Sequence, residues 1–415
     1  MKGYLELLRL PGARAAAIPA AVARLAVSMV ALALLLAIVE AGYGYAVAGG
    51  ASAAYAAGYA VAGPVLGRLI DRVGAAIVVG LAGVAAPVAL GVAALGTGRF
   101  PAAALVATAL AAGLTTPPVG ASMRALWTRL TDDESMLRRA YAFEATLSEA
   151  LYVIGPAGLT GLAVAFDARV ALGVTAGLLC VGCAGYSRAR LSRRVAGVPP
   201  VTRAGRPSGA MLFVLAGVAC TAAMTGALTV SVAVALPEQG SLVTLTGAVL
   251  ALQSVASIGG GLAYGALSTR SGVYTRYLWL LGGLTLTFGL LPVSVLAFRG
   301  GLSAGVALVL LCLLLLPSGA FIAPTGAAEF QLAGDLTPPA RMTQTFAVVG
   351  AVIAVGDAAG VALGGLIAGA SGTMITLLLP ALCAALALVV ALVGWRVVVA
   401  ALSVVASLGR SGVVR

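Results

Sequence analysis

The chain is a succession of apolar runs of about 20 residues each, separated by short polar or Gly/Pro-containing breaks. A bilayer core offers no water to backbone N–H and C=O groups. Runs of that length therefore have one stable form, the helix, which closes its hydrogen bonds within the segment. About twelve spans can be marked on that criterion, at roughly 14–39, 45–67, 75–96, 101–123, 140–166, 168–187, 210–236, 242–267, 277–298, 302–325, 343–368 and 373–395. Residues 4–10 read as a short interfacial helix ahead of the first span. Hydrophobic residues make up 61% and charged residues 9%, far from the roughly 25% charge of a soluble domain. The expected fold class is an all-α integral membrane protein.

Composition also removes several functions. The chain has no histidine, which excludes His-based triads, His-ligated haem and His-assisted zinc. The five cysteines, Cys180, Cys183, Cys220, Cys312 and Cys383, all lie inside apolar runs and read as small packing residues. No Ser/Lys or paired-Asp arrangement stands at membrane depth, so no enzyme, cofactor or metal is expected. The net charge of +12 is spread over short loops, which argues against a nucleic-acid surface. A basic start before an apolar stretch can mark a signal peptide. Here Arg24 interrupts the stretch, which continues through Met29–Val39, so a retained first helix is expected.

An octapeptide occurs twice. Gly67-Arg-Leu-Ile-Asp71-Arg72-Val-Gly74 is followed 198 residues later by Gly265-Ala-Leu-Ser-Thr269-Arg270-Ser-Gly272, in a chain of 415. Both copies join two apolar runs, between spans two and three and between spans eight and nine. Equal placement implies two parallel repeats of even span number, related by an axis along the membrane normal. The stretch between spans six and seven is rich in arginine and proline. The expected division is a six-helix half at 1–187, a basic linker at 188–209 and a second half at 210–415. Of 25 basic residues, only Arg99, Arg169 and Arg299 fall in loops opposite the octapeptides, and Arg24 alone lies within a span. The positive-inside rule then puts both termini in the cytoplasm of a cell-membrane protein.

This arrangement resembles the major facilitator superfamily, whose signature after the second helix is Gly-x-x-x-Asp-Arg-x-Gly, matched at Gly67, Asp71, Arg72 and Gly74. The second copy keeps Gly265, Arg270 and Gly272 but has Thr269 for the aspartate. The family's motif usually continues with basic residues, where this chain has Ala75 and Ala76. The resemblance implies that the N-terminus of span eleven lies near this loop. Asp71 would then cap it and pair with Arg72 or a nearby arginine, as a latch on the cytoplasmic side. Gly155-Pro156 in span five resembles the fifth-helix motif of the superfamily's drug:proton antiporters, in part, and is expected to bend that helix.

Charges inside spans cost about 2.5–3.5 kcal/mol each on insertion scales. Four are marked: Arg24, Glu144, Glu149 and Asp357. Arg24 and Glu149 fall at similar depth in spans that the resemblance makes neighbours, and an ion pair between them is expected. Glu149 and Asp357 are the candidate proton carriers, and Glu144 a gate or structural group. The resemblance assigns spans one, four, seven and ten to the central path. Met29, Thr115, Thr116, Met224, Thr225, Thr229 and Phe321 are expected along it, with Gln253 of span eight within reach. That lining is apolar with one cation, Arg24. The expected function is a proton-coupled exporter of small lipophilic or cationic molecules, working as a monomer in the bilayer. The alternatives are a proton-coupled uptake symporter and a non-transporting sensor on the same fold.

Overall fold

The computed structural model describes residues 2–131, 133–195, 208–242, 245–266 and 271–411. Among them the chain is helical throughout: α1 (Lys2–Arg9), α2 (Ala13–Glu40), α3 (Tyr45–Val73), α4 (Ala75–Gly96), α5 (Ala102–Thr115), α6 (Val119–Leu130), α7 (Glu134–Ala165) and α8 (Ala168–Arg188). There follow α9 (Gly209–Glu238), α10 (Thr246–Ala266), α11 (Val273–Gly289), α12 (Pro292–Arg299), α13 (Ala304–Asp335) and α14 (Met342–Ser411). Among the described residues ten segments are long and apolar enough to cross a bilayer. One of them is α14, which Gly372, at φ 76°, divides into two helices. The 29-residue α3 is also long enough to span but is less apolar, being built on Ala, Gly and Tyr. The protein is an all-α, multi-pass membrane protein.

Local chemistry sets the boundaries. Asp133 caps α7 by accepting the Ser135 N–H at 2.9 Å. That N–H and the Ser135 hydroxyl hold the exposed Asp133 carboxyl below the usual carboxylate range. Asp167 caps α8 through the Val170 N–H at 2.6 Å, and Ser208 caps α9 through the Met211 N–H at 3.2 Å. Two of the expected spans are broken. Pro117 and Pro118 each push the preceding residue out of helical geometry, so Thr116 is extended and span four becomes α5 and α6. Span nine breaks in the same way, into α11 and α12 just before Pro292. The sequence also ends span ten at residue 325, whereas α13 continues to Asp335.

The contacts group into two units, Met1–Ala140 with Ala150–Arg203 and Thr337–Ala351, and Tyr141–Glu149 with Ala204–Leu336 and Val352–Arg415. These differ from the chain halves expected at 1–187 and 210–415, because residues 141–149 and 337–351 each make more contacts with the opposite set. The expected linker, 188–209, falls largely on 196–207, outside the described residues. In the first unit α2 runs along α8, α3 along α5, and α4 against both α5 and α8. In the second, α10 runs along α13 and α11 packs on α13. The α3·α5 and α4·α5 pairings of the first unit therefore recur as α10·α13 and α11·α13.

Each unit is also braced at the end opposite the octapeptides. Glu40, the last residue of α2, accepts the Ala168 N–H of α8 at 2.9 Å, and Arg169 donates to the Thr97 hydroxyl and carbonyl at 2.9 and 2.8 Å. Glu238, the last residue of α9, accepts two bonds from Arg299, at 2.9 and 2.5 Å.

Candidate functional site

The first octapeptide builds a specific contact. Gly67 and Asp71 stand one helical turn apart at the end of α3, on one face. The Asp71 carboxylate, 3% exposed, accepts the Thr343 N–H on one oxygen at 3.1 Å and the Gln344 N–H on the other at 2.8 Å. These are first-turn amides of α14, which have no partner within their own helix and carry its partial positive charge. At Gly67 a Cβ would meet the Thr343 carbonyl oxygen at 2.9 Å and the Gln344 Cα at 3.0 Å. Glycine lets the two backbones close, and the aspartate four residues on caps the helix so approached. Arg72 is exposed. The arginine that acts electrostatically on Asp71 is Arg129 of α6.

The second copy is built differently. Gly265 is buried at the end of α10 and Gly272 leads into α11. Thr269 and Arg270 lie outside the described residues. Gly74 has φ 108° and ψ 147°, a conformation reserved for glycine, whereas Gly272 has φ −60°. Gly74→Ala is therefore expected to cost about 1–3 kcal/mol and Gly272→Ala almost nothing. Thermal unfolding of the purified variants in detergent checks this, and equal melting temperatures would refute it.

Arg24 of α2 does not stand alone. Arg124 of α6, counted from sequence among the loop arginines, is 9% exposed. A Cβ at Gly120 would lie 3.3 Å from Arg24 Nε and 3.4 Å from an Arg124 terminal nitrogen. The expectation of a single cation is thereby corrected. Its cause is the Pro117-Pro118 break, which made the span look finished at residue 123. Tyr59 interacts electrostatically with both arginines and with Tyr152, and its ring stacks on Tyr55 at 6.5 Å between centroids.

The second unit holds two carboxylates of note. Asp357 accepts a 3.2 Å bond from the Thr225 hydroxyl of α9. Around it α9 and α14 meet backbone to backbone. A Cβ on Gly226 would overlap the Asp357 carbonyl, and one on Gly360 the Ala223 carbonyl. The sequence reading missed the other carboxylate. Glu329 of α13 is 4% exposed, and one of its oxygens accepts the Thr221 hydroxyl at 2.7 Å and the Tyr277 hydroxyl at 3.3 Å. The signal was present, since Gly326-Ala-Ala-Glu329-Phe continues the helical run past Pro324.

Glu144 is buried in α7. Glu149 lies on the same helix in the second unit, while Arg24 belongs to the first. Gly155 of α7 seats on Ser28 of α2, whose hydroxyl donates to the Leu25 and Leu151 carbonyls at 2.7 and 3.0 Å. The helix continues through Pro156. Of the residues expected along a path, Met29, Thr116, Met224 and Gln253 are buried instead. The Thr116 hydroxyl bonds the Ala112 carbonyl, and the Gln253 amide bonds Ser318. Thr115 and Phe321 are half-buried, and Thr229 is exposed. Helix rotation decides which side of a span faces a path, and a uniformly apolar span carries little sequence record of its rotation.

Similar structures were found by fold. A bacterial homologue of the iron transporter ferroportin, in its outward-facing state, superposes with TM-score 0.72 at 16% identity, over 93% of this chain and 99% of that one. The chain has the major facilitator fold. The human organic anion transporter MFSD10 (TETRAN) superposes with TM-score 0.66 at 15% identity, over 91% of this chain and 99% of that one. No family model matches the sequence, and no curated protein matches it. Within the major facilitator fold the Gly67–Asp71 segment is the loop after the second helix, and α14 opens with the eleventh.

Proposed function

We propose that the protein is a secondary active transporter working by alternating access, exchanging protons for small, largely apolar organic molecules across the cell membrane, with both termini in the cytoplasm. The observation that carries this reading is the Asp71 cap on α14. It joins residues 272 positions apart through two hydrogen bonds, few enough to break and remake once per cycle. The fold and its two repeats support the same reading, as do carboxylates held inside helices at Glu149, Asp357 and Glu329.

Iron is the cargo named for one similar structure. The donor set here does not favour it. The chain has no histidine, and among the described residues no three Cys, Asp or Glu side chains come together to hold a metal ion.

The test is reconstitution into liposomes carrying an internal pH dye, with a panel of amphipathic compounds added outside. Antiport predicts proton movement opposite to the compound, lost in one of Glu149→Gln, Asp357→Asn and Glu329→Gln. Movement in the same direction would mean symport. Flux without any proton movement would end the coupling reading, and no flux of any kind would favour the sensor alternative.

A further inference from the structure

We propose that the Arg24–Arg124 pair of the first unit is a binding site for an organic anion, so that the transported molecules carry a carboxylate, sulfonate or phosphate group. The inference rests on the transport reading only in calling the ligand a substrate. Two guanidinium nitrogens stand 3.3 and 3.4 Å from one point above Gly120, and so lie within about 7 Å of each other. That gap fits a single oxyanion bonded on both sides at about 2.8 Å. Guanidinium groups in this disposition match the planar, two-oxygen geometry of carboxylates and phosphates, which ammonium groups do not.

The surroundings suit an anion with an apolar body. Gly120 is the second residue of α6, so the opening amides of that helix lie at the same point, freed by the break at Thr116–Pro118. The Tyr55 hydroxyl, 4% exposed, lies by Thr116 at the break and makes no hydrogen bond of its own. It is a buried donor at the site. Tyr59, stacked on Tyr55 and acting on both arginines, supplies an aromatic wall, and Tyr152 extends it. Arg24, Gly120 and Tyr59 are only half-buried, so a ligand can reach them.

Gly120 has a reason to be glycine here. A Cβ would press on both guanidinium groups at once, and a branched side chain would occupy the oxyanion's place. The site can therefore be blocked without changing its charge.

The test uses the full chain in phosphatidylcholine nanodiscs and equilibrium binding of compounds sharing one aromatic body. Naphthoate, naphthalenesulfonate and naphthyl phosphate are compared with naphthamide and naphthylmethylammonium. At least one anion is expected to bind about tenfold or more tightly than the neutral and cationic forms. That preference should fall about tenfold in Arg24→Lys, Arg124→Lys and Gly120→Val, and persist in Arg99→Gln. Thermal unfolding of each variant separates a blocked site from a misfolded protein. If the lysine variants do not fold, Gly120→Val decides. No anion preference in the wild type would overturn the proposal, as would its survival in the folded site variants. Loss of the preference when phosphatidylglycerol is added would assign the arginines to a lipid headgroup and equally overturn it. Binding is measured without flux, so failed transport with intact anion preference would count against the transport reading alone.

Discussion

Asp71→Ala is expected to abolish coupled transport and to release the first turn of α14. Two buried amides, those of Thr343 and Gln344, would lose their acceptors together. Capping substitutions cost about 1–2 kcal/mol and hydrogen bonds to charged groups about 1.5–3 each. A loss of about 2 kcal/mol shifts the capped state roughly thirtyfold. Asn should fall between Asp and Ala. It keeps one acceptor oxygen, but its NH2 group would then face an N–H donor, because the two amides use different carboxylate oxygens. Hydrogen exchange read by mass spectrometry checks this directly. Protection at residues 343 and 344 should drop in Asp71→Ala, while that of α7 stays unchanged. Full protection together with normal flux would remove the latch from the mechanism.

The second large effect is expected at Glu329. Glu329→Ala would leave the Thr221 and Tyr277 hydroxyls in a sealed pocket without their acceptor, at about 1–3 kcal/mol for each group left unsatisfied. The protein should melt several degrees lower and express poorly. Glu329→Gln keeps the oxygen that accepts both bonds and should fold. The pair of variants divides two roles. If Gln folds and still moves protons, Glu329 is a structural acceptor. If Gln folds and proton movement stops, the carboxylate carries the proton. An unchanged melting temperature in the alanine variant would contradict the burial seen here.

The sequence records some of these features well and others not at all. The spans were legible because backbone satisfaction in lipid leaves a strong apolar signature over twenty residues. Gly67, Asp71 and Gly74 were legible because the motif repeats at a fixed offset. Arg124 and Glu329 were misjudged for a common reason. Prolines at 117, 118 and 324 read as the ends of spans, yet helix resumes at Val119 in one case and never stops in the other. A charge just beyond such a proline is counted as a loop residue when it is a buried one. Met224 and Gln253 show a different limit. Both were placed on a path by span number, and both are buried, because which face of an apolar helix turns inward depends on partners that the local sequence does not name.

The braces at Glu40 and Glu238 set a length register. From Glu40 to the motif glycine Gly67 is 27 residues, and from Glu238 to Gly265 is again 27. In each unit that interval runs from an anchored helix end, round one turn, to the face of the next helix where the motif glycine sits. A helix advances about 1.5 Å and rotates about 100° per residue. One added or deleted residue within α3 would therefore turn Gly67 and Asp71 away from α14 while Glu40 stayed fixed. Both copies tolerate changes of residue type in this interval, as Asp71 and Thr269 show, but keep its count, so it is spacing rather than composition that has been held constant between them.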